Sequence, residues 1–143
     1  VKIYHQEEES DRVIDIFNSG VEIHVSELSV IEYHSVIHRK FRENHLSKID
    51  LDKILKRFEI DLTTRFTLLI FNPIVIRNAK KVFQIIGQEI FVRSLDVIQL
   101  GFFKSFLSNI DIFLTFDSRQ ILDIEELKKK NFFSANANSE DDY

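Results

Sequence analysis

Between Ser10 and Asn18 the apolar residues Val13, Ile14 and Phe17 recur at helical spacing, and Gly20 follows as a stop. Val21 to Val25 alternates and is rich in β-branched residues, which predicts a short strand. Ser26 or Ser29 then caps a long helix running to about Asn44. A second helix is expected from Ser47 to Thr63, with Leu51, Ile54, Leu55 and Phe58 on its buried stripe. Phe66 to Phe71 is a continuous apolar run of strand length, the pattern of a strand covered on both faces.

Asn72-Pro73 is the clearest punctuation in the chain: Asn suits the N-cap and Pro the first helical position. It opens a helix to about Ile86, ended by Gly87. Ser94 is expected to cap the next helix, which carries Asp96 in its first turn and runs to about Leu107. Ile110 to Phe116 reads as another strand, with Asp117 just past its end. A charged helix over Gln120 to Lys130 follows, then Asn131 to Phe133 as a last short strand. From Ser134 to Tyr143 the chain is polar and acidic and lacks core residues, as in a disordered tail. Alternating strands and helices predict an α/β domain over residues 1–133 around a mostly parallel sheet covered on both faces. In such sheets, sites form beyond the carboxyl ends of the strands.

Composition narrows the class. The chain has 143 residues, 14 of them Phe, enough to bury a core in one domain. It has no Cys, which removes disulfides, thiolate zinc sites and a cysteine nucleophile, and favours the cytoplasm. No apolar run approaches the ~20 residues of a membrane-spanning helix, and no signal-peptide pattern opens the chain. A formal charge of −4 argues against indiscriminate coating of nucleic acid, yet leaves room for a nuclease that grips phosphates locally.

Three carboxylates then stand out: Glu32 and Asp96 near helix starts, and Asp117 beyond a predicted strand. Gathered carboxylates repel one another unless a proton or a hard divalent cation compensates them. Each has a plainer use. Asp96 can stabilise a helix dipole, Asp117 can cap the helix after it, and Glu32 can be a solvated helix residue. Ser29 is a cap or orients Glu32 or a phosphate; Arg119 contacts phosphate or is a surface charge; Arg93 does the same or pairs with a nearby carboxylate. His34 and His38 lie four apart, a zinc-compatible spacing, but no third ligand at matching spacing accompanies them. The basic residues from Arg39 to Arg57 form a solvated face or a strip that follows an RNA backbone.

In their order along the chain, Ser26-x-Leu-Ser-x-x-Glu32-Tyr, Ser94-Leu-Asp96-x-Ile-x-Leu and Thr115-Phe-Asp117-Ser-Arg resemble the motifs of the PIN-domain family, and within it the VapC-type toxins of bacterial toxin–antitoxin pairs. The resemblance spans Val1 to about Lys130. It implies a three-layer α/β/α sandwich and a Mg²⁺- or Mn²⁺-dependent endoribonuclease. It also implies that Glu32, Asp96 and Asp117 are three of four metal-binding acids, and that the protein forms a homodimer and binds an antitoxin; Ser29 and Arg119 are the expected substrate contacts. Asp96 would ligate directly, Glu32 and Asp117 directly or through water. The helix pair carrying the basic strip is the family's dimer and antitoxin surface.

Two departures matter. The family's first acid ends an opening strand, in a stretch like Asp-Thr-Ser-Ala-Leu followed by Val-Lys-Leu-Tyr; Val1-Lys-Ile-Tyr4 matches only the end of it. With Val at position 1 and no Met anywhere, the expectation is that this strand and its Asp lie upstream. Gln99-Leu-Gly101 stands where the family shows His-Leu-Ala. A helix-interior Gly costs about 1 kcal/mol relative to Ala and is tolerable where the helix packs closely. The competing functions are a PIN-like interaction module without activity and a phosphate-receiving signalling domain. The second is disfavoured because no Lys follows a late strand after Asp117.

Overall fold

The computed structural model describes Tyr4 and residues 8–115 and 117–134. Val1 to Ile3, and all of the predicted polar tail except Ser134, lie outside the described residues. The chain is α/β and divides into two compact units, Val1–Ile70 and Phe71–Tyr143.

The first unit holds α1 (Ser10–Asn18), β1 (Ile23–Ser26), α2 (Glu27–Arg42), α3 (Lys48–Thr64) and β2 (Phe66–Leu69). Gly20 follows α1 at φ 82°, the left-handed conformation that the absence of a Cβ permits, and turns the chain toward β1. β1 and β2 pair in parallel, Ile23 opposite Phe66 through to Ser26 opposite Leu69. Ser26 then ends β1 and caps α2 at once, accepting the backbone N–H of Ser29; of the two candidate serines, Ser26 is the cap. Asn44 ends α2 at φ 58°: its N–H reaches the Phe41 carbonyl and that of His45 reaches Lys40, the paired bonds of a Schellman turn. Ser47 caps α3 by accepting the Asp50 N–H. Helices α2 and α3 meet through Tyr33, Ile37, Leu51 and Phe58, with the Tyr33 and Phe58 rings stacked at 3.7 Å and Tyr4 edge-on to both. The predicted stripe of α3 is therefore observed, with Leu51 and Phe58 buried and Ile54 and Leu55 half-buried.

The second unit is helical among the described residues: α4 (Pro73–Ile86), α5 (Ser94–Ser105) and α6 (Ser118–Lys129). Asn72 caps α4 as its sequence demands, accepting the N–H groups of Ile74 and Val75. The core joins Val82, Ile86, Val97, Leu100, Leu127 and Phe132, each nearly or fully removed from solvent. Where α5 crosses α4, a Cβ at Gly101 would lie 2.6 Å from the Val75 carbonyl oxygen and 3.1 Å from the Ala79 Cβ. The helix-interior glycine thus permits an approach that an alanine would obstruct.

Several expectations change. The sheet has two strands among the described residues, so β2 has a single neighbour, and Thr67 and Leu68 stay exposed rather than covered on both faces. Residues 110–115 form no strand: Phe113 packs on the core while Ile112 and Leu114 on either side are exposed, so the alternation places one residue inward without a ladder partner. Asn131 to Phe133 is a turn, not a strand. Asn131 adopts φ 59°, its N–H bonds to the Lys128 carbonyl, and that of Phe132 bonds to Leu127, while the Leu127 and Phe132 side chains share the core. This is a second Schellman turn, sealed by its hydrophobic contact. Ser94 is the first residue of α5, not its cap. Arg93 occupies the cap position and makes no capping bond with its side chain.

Candidate functional site

Glu32 and Ser29 belong to the first unit; Asp96, Asp117 and Arg119 belong to the second. Ser29 and Glu32 lie one turn apart on α2, both half-buried, just past the carboxyl end of β1. The Ser29 hydroxyl lies 3.0 Å from that of Ser26. The capping geometry therefore accounts for part of what Ser29 does.

In the second unit two predicted acids come together on one cation. Arg93 donates from Nε to Asp96 Oδ2 and from an Nη to Asp117 Oδ2, each at 2.5 Å. Asp96 is in the first turn of α5, one turn beyond Arg93, and Asp117 is the N-cap of α6. The two carboxylates are separated by 21 positions of chain and drawn to a single guanidinium fork. Asp117 serves two masters: its Oδ1 accepts the backbone N–H groups of Arg119 and Gln120, while Oδ2 faces Arg93. The Arg93 hydrogen bond, followed by these backbone donors, holds the Asp117 carboxyl below the usual carboxylate range against the opposing effect of desolvation. Arg93 is in turn pushed above its ordinary value by the hydrogen bonds to Asp117 and Asp96. Arg119 is exposed, and its described contact with Asp117 is through its backbone.

A third acid, unmarked by any motif, feels the charges of these two. Asp123 is 4% exposed and lies on α6, where its carboxyl makes no hydrogen bond among the described residues. Burial pushes its pKa up, and the charge of Asp96, then that of Asp117, push the same way against the opposing pull of Arg93. A signal in the sequence existed. Gln120, Asp123, Ile124 and Leu127 follow the i, i+3, i+4, i+7 stripe of α6, and a charged residue on a buried stripe marks a site or an ion pair. Among the described residues no three His, Asp or Glu side chains are grouped as they would be around a metal ion; a guanidinium lies on the two carboxylates instead.

His34 and His38 stack at 6.1 Å, with the His38 Nδ1 on the His34 carbonyl and the His34 Nε2 at 3.5 Å from Glu59, an arrangement within the helix surface. No protein-family model, curated protein or solved structure matches this chain.

Proposed function

We propose that the chain is a Mg²⁺- or Mn²⁺-dependent endoribonuclease that hydrolyses RNA phosphodiesters, the cytoplasmic toxin of a toxin–antitoxin pair, built on a PIN-like α/β/α sandwich with a mostly parallel sheet. Homodimer formation and an antitoxin partner belong to the same proposal. The observation that carries it is the pairing of Asp96 and Asp117 on one guanidinium, with Asp123, buried on α6, within their electrostatic reach. Asp96 and Asp117 offer carboxylate oxygens, the ligand type a hard cation takes. Asp96 and Asp117 would hold the ion, and Glu32 joins them by its motif. When bound, Mg²⁺ lowers the pKa of an attacking water and offsets charge growing on the phosphodiester. The chain's own groups do the rest. The α6 N–H groups fix the Asp117 carboxylate through Oδ1, leaving Oδ2 for its cation, and Ser29 and Arg119 are the residues proposed to contact phosphate oxygens of RNA.

The test is Asp96→Asn in the full-length protein. Mg²⁺-dependent cleavage of single-stranded RNA falls at least about a hundredfold, since metal stabilisation supplies several kcal/mol at 1.36 kcal/mol per tenfold. The circular dichroism spectrum stays that of the parent. Undiminished cleavage refutes the assignment. One observation favours a second reading, an inactive PIN-like interaction module: Arg93 already neutralises both carboxylates without any ion. A parent protein that cleaves no RNA in Mg²⁺ or Mn²⁺ yet binds a partner protein establishes that reading instead.

A further inference from the structure

The side chain of Asp61 is 0% exposed, and its Oδ2 receives both the Tyr4 hydroxyl at 2.7 Å and the Arg57 Nε at 3.1 Å. Burial, and then the bond to Asp61, pushes the Tyr4 pKa up, so the phenol keeps its proton and Oδ2 keeps both donors. Oδ1 is buried with no partner among the described residues, and burying a carboxylate oxygen without a donor is unfavourable. Asp61 also lines a pocket of about 260 Å³ in the first unit, together with Tyr4, Ile14, Phe17, Asn18 and Arg57. We propose that this pocket binds a small zwitterion, an α-amino acid with an apolar side chain, whose ammonium donates to Asp61 Oδ1 and whose carboxylate accepts from the Arg57 guanidinium. The inference goes beyond the nuclease reading and uses no residue of the acidic motifs.

The lining selects that class of ligand. Asp61 needs a donor, and a charged donor makes the strongest bond to a buried carboxylate. Among the described residues Arg57 spends only its Nε on Asp61, which leaves its two Nη groups for an acceptor. Its side chain is 56% exposed, so the acid lies deep and the guanidinium lies toward water. A plain amine is repelled by Arg57 and a plain anion by Asp61, whereas a molecule carrying both charges satisfies each. Phe17, buried, and Ile14, half-buried, supply an apolar wall for the ligand's side chain. The volume is below the roughly 300 Å³ at which pockets for drug-sized molecules begin, and suits a ligand of amino-acid size.

Calorimetric titration of the full-length protein with L-valine, L-leucine and L-phenylalanine tests the assignment. At least one of them binds. For that amino acid, the N-acetyl derivative, which lacks the ammonium, and the decarboxylated amine each bind at least about tenfold more weakly, the loss expected for one charge-assisted hydrogen bond. Asp61→Asn, which removes the acid's charge, weakens the amino acid at least about tenfold. Arg57→Gln, at a half-exposed position, does the same without weakening the decarboxylated amine, and it serves should Asp61→Asn fail to fold. The proposal is overturned by no binding of any of the three, by equal affinity for either derivative, or by undiminished binding in either folded variant.

Discussion

Each unit of this chain buries one aspartate on a helix, and the two are treated in opposite ways. Asp61, fully buried near the end of α3, accepts the Tyr4 hydroxyl at 2.7 Å and the Arg57 Nε at 3.1 Å, both on Oδ2. Its Oδ1 is the one buried side-chain atom without a partner among the described residues. Asp123, 4% exposed on α6, instead feels two like charges, those of Asp96 and Asp117. A buried acid given its own donors serves as an anchor; one crowded by other acids carries an electrostatic cost that a proton or a cation relieves. Through Oδ2, Asp61 therefore belongs to the architecture of the first unit, and Asp123 to the chemistry proposed for the second.

The comparison breaks most visibly by truncating the anchor. Asp61→Ala strands the Tyr4 hydroxyl and frees Arg57, which is half-exposed and can turn to water, so the expected loss is about 2–3 kcal/mol. Urea unfolding followed by circular dichroism reads it, and an unchanged midpoint would remove the anchoring role. Gly101→Ala comes next. Better helix propensity contributes up to about 1 kcal/mol, but the new Cβ meets the Val75 carbonyl, so a net loss of about 1–2 kcal/mol is expected. A stabilised variant would show that α4 and α5 separate easily.

The smallest effect has the opposite sign. Burial and its acidic neighbours raise the Asp123 pKa above the ordinary value of 3.8. Between that value and the raised one the native protein holds a proton that the unfolded chain has lost, so this group's contribution to stability is present at low pH and declines as pH rises. Asp123→Asn removes the buried charge and raises the urea midpoint at pH 7 in EDTA; the gain vanishes below the ordinary aspartate range. A gain that persists unchanged at low pH would assign it to packing, not charge. Asp117, held below the same ordinary value chiefly by Arg93, moves the other way: its contribution is present above that value and is lost as pH falls.

Much of the helical framework was legible. Ser47, Asn72 and Pro73 mark helix starts because a cap bonds to a backbone group two or three residues away, and such bonds are encoded within the segment itself. Gly20 marks a helix end for the same local reason. The predicted strand at Asn131 was misread because Asn-Phe-Phe suits a strand by composition, whereas a left-handed Asn after Lys130 closes a helix. The acids at 96 and 117 stand in the motifs, and the structure sets both on Arg93, whose pairing with a nearby carboxylate is one of the roles its position suggests.

Sequence by itself determined where α1 to α4 run and how they are capped, because those choices depend on neighbours within one helical turn. Tertiary structure alone decided that Tyr4 meets Asp61 across 57 positions and that Arg93 meets Asp117 across 24. It also decided that Gly101 admits the Val75 carbonyl and that Asp123 is removed from water. Such pairings follow from which helix faces come together, and burial and Coulomb interaction depend on that packing rather than on separation along the chain.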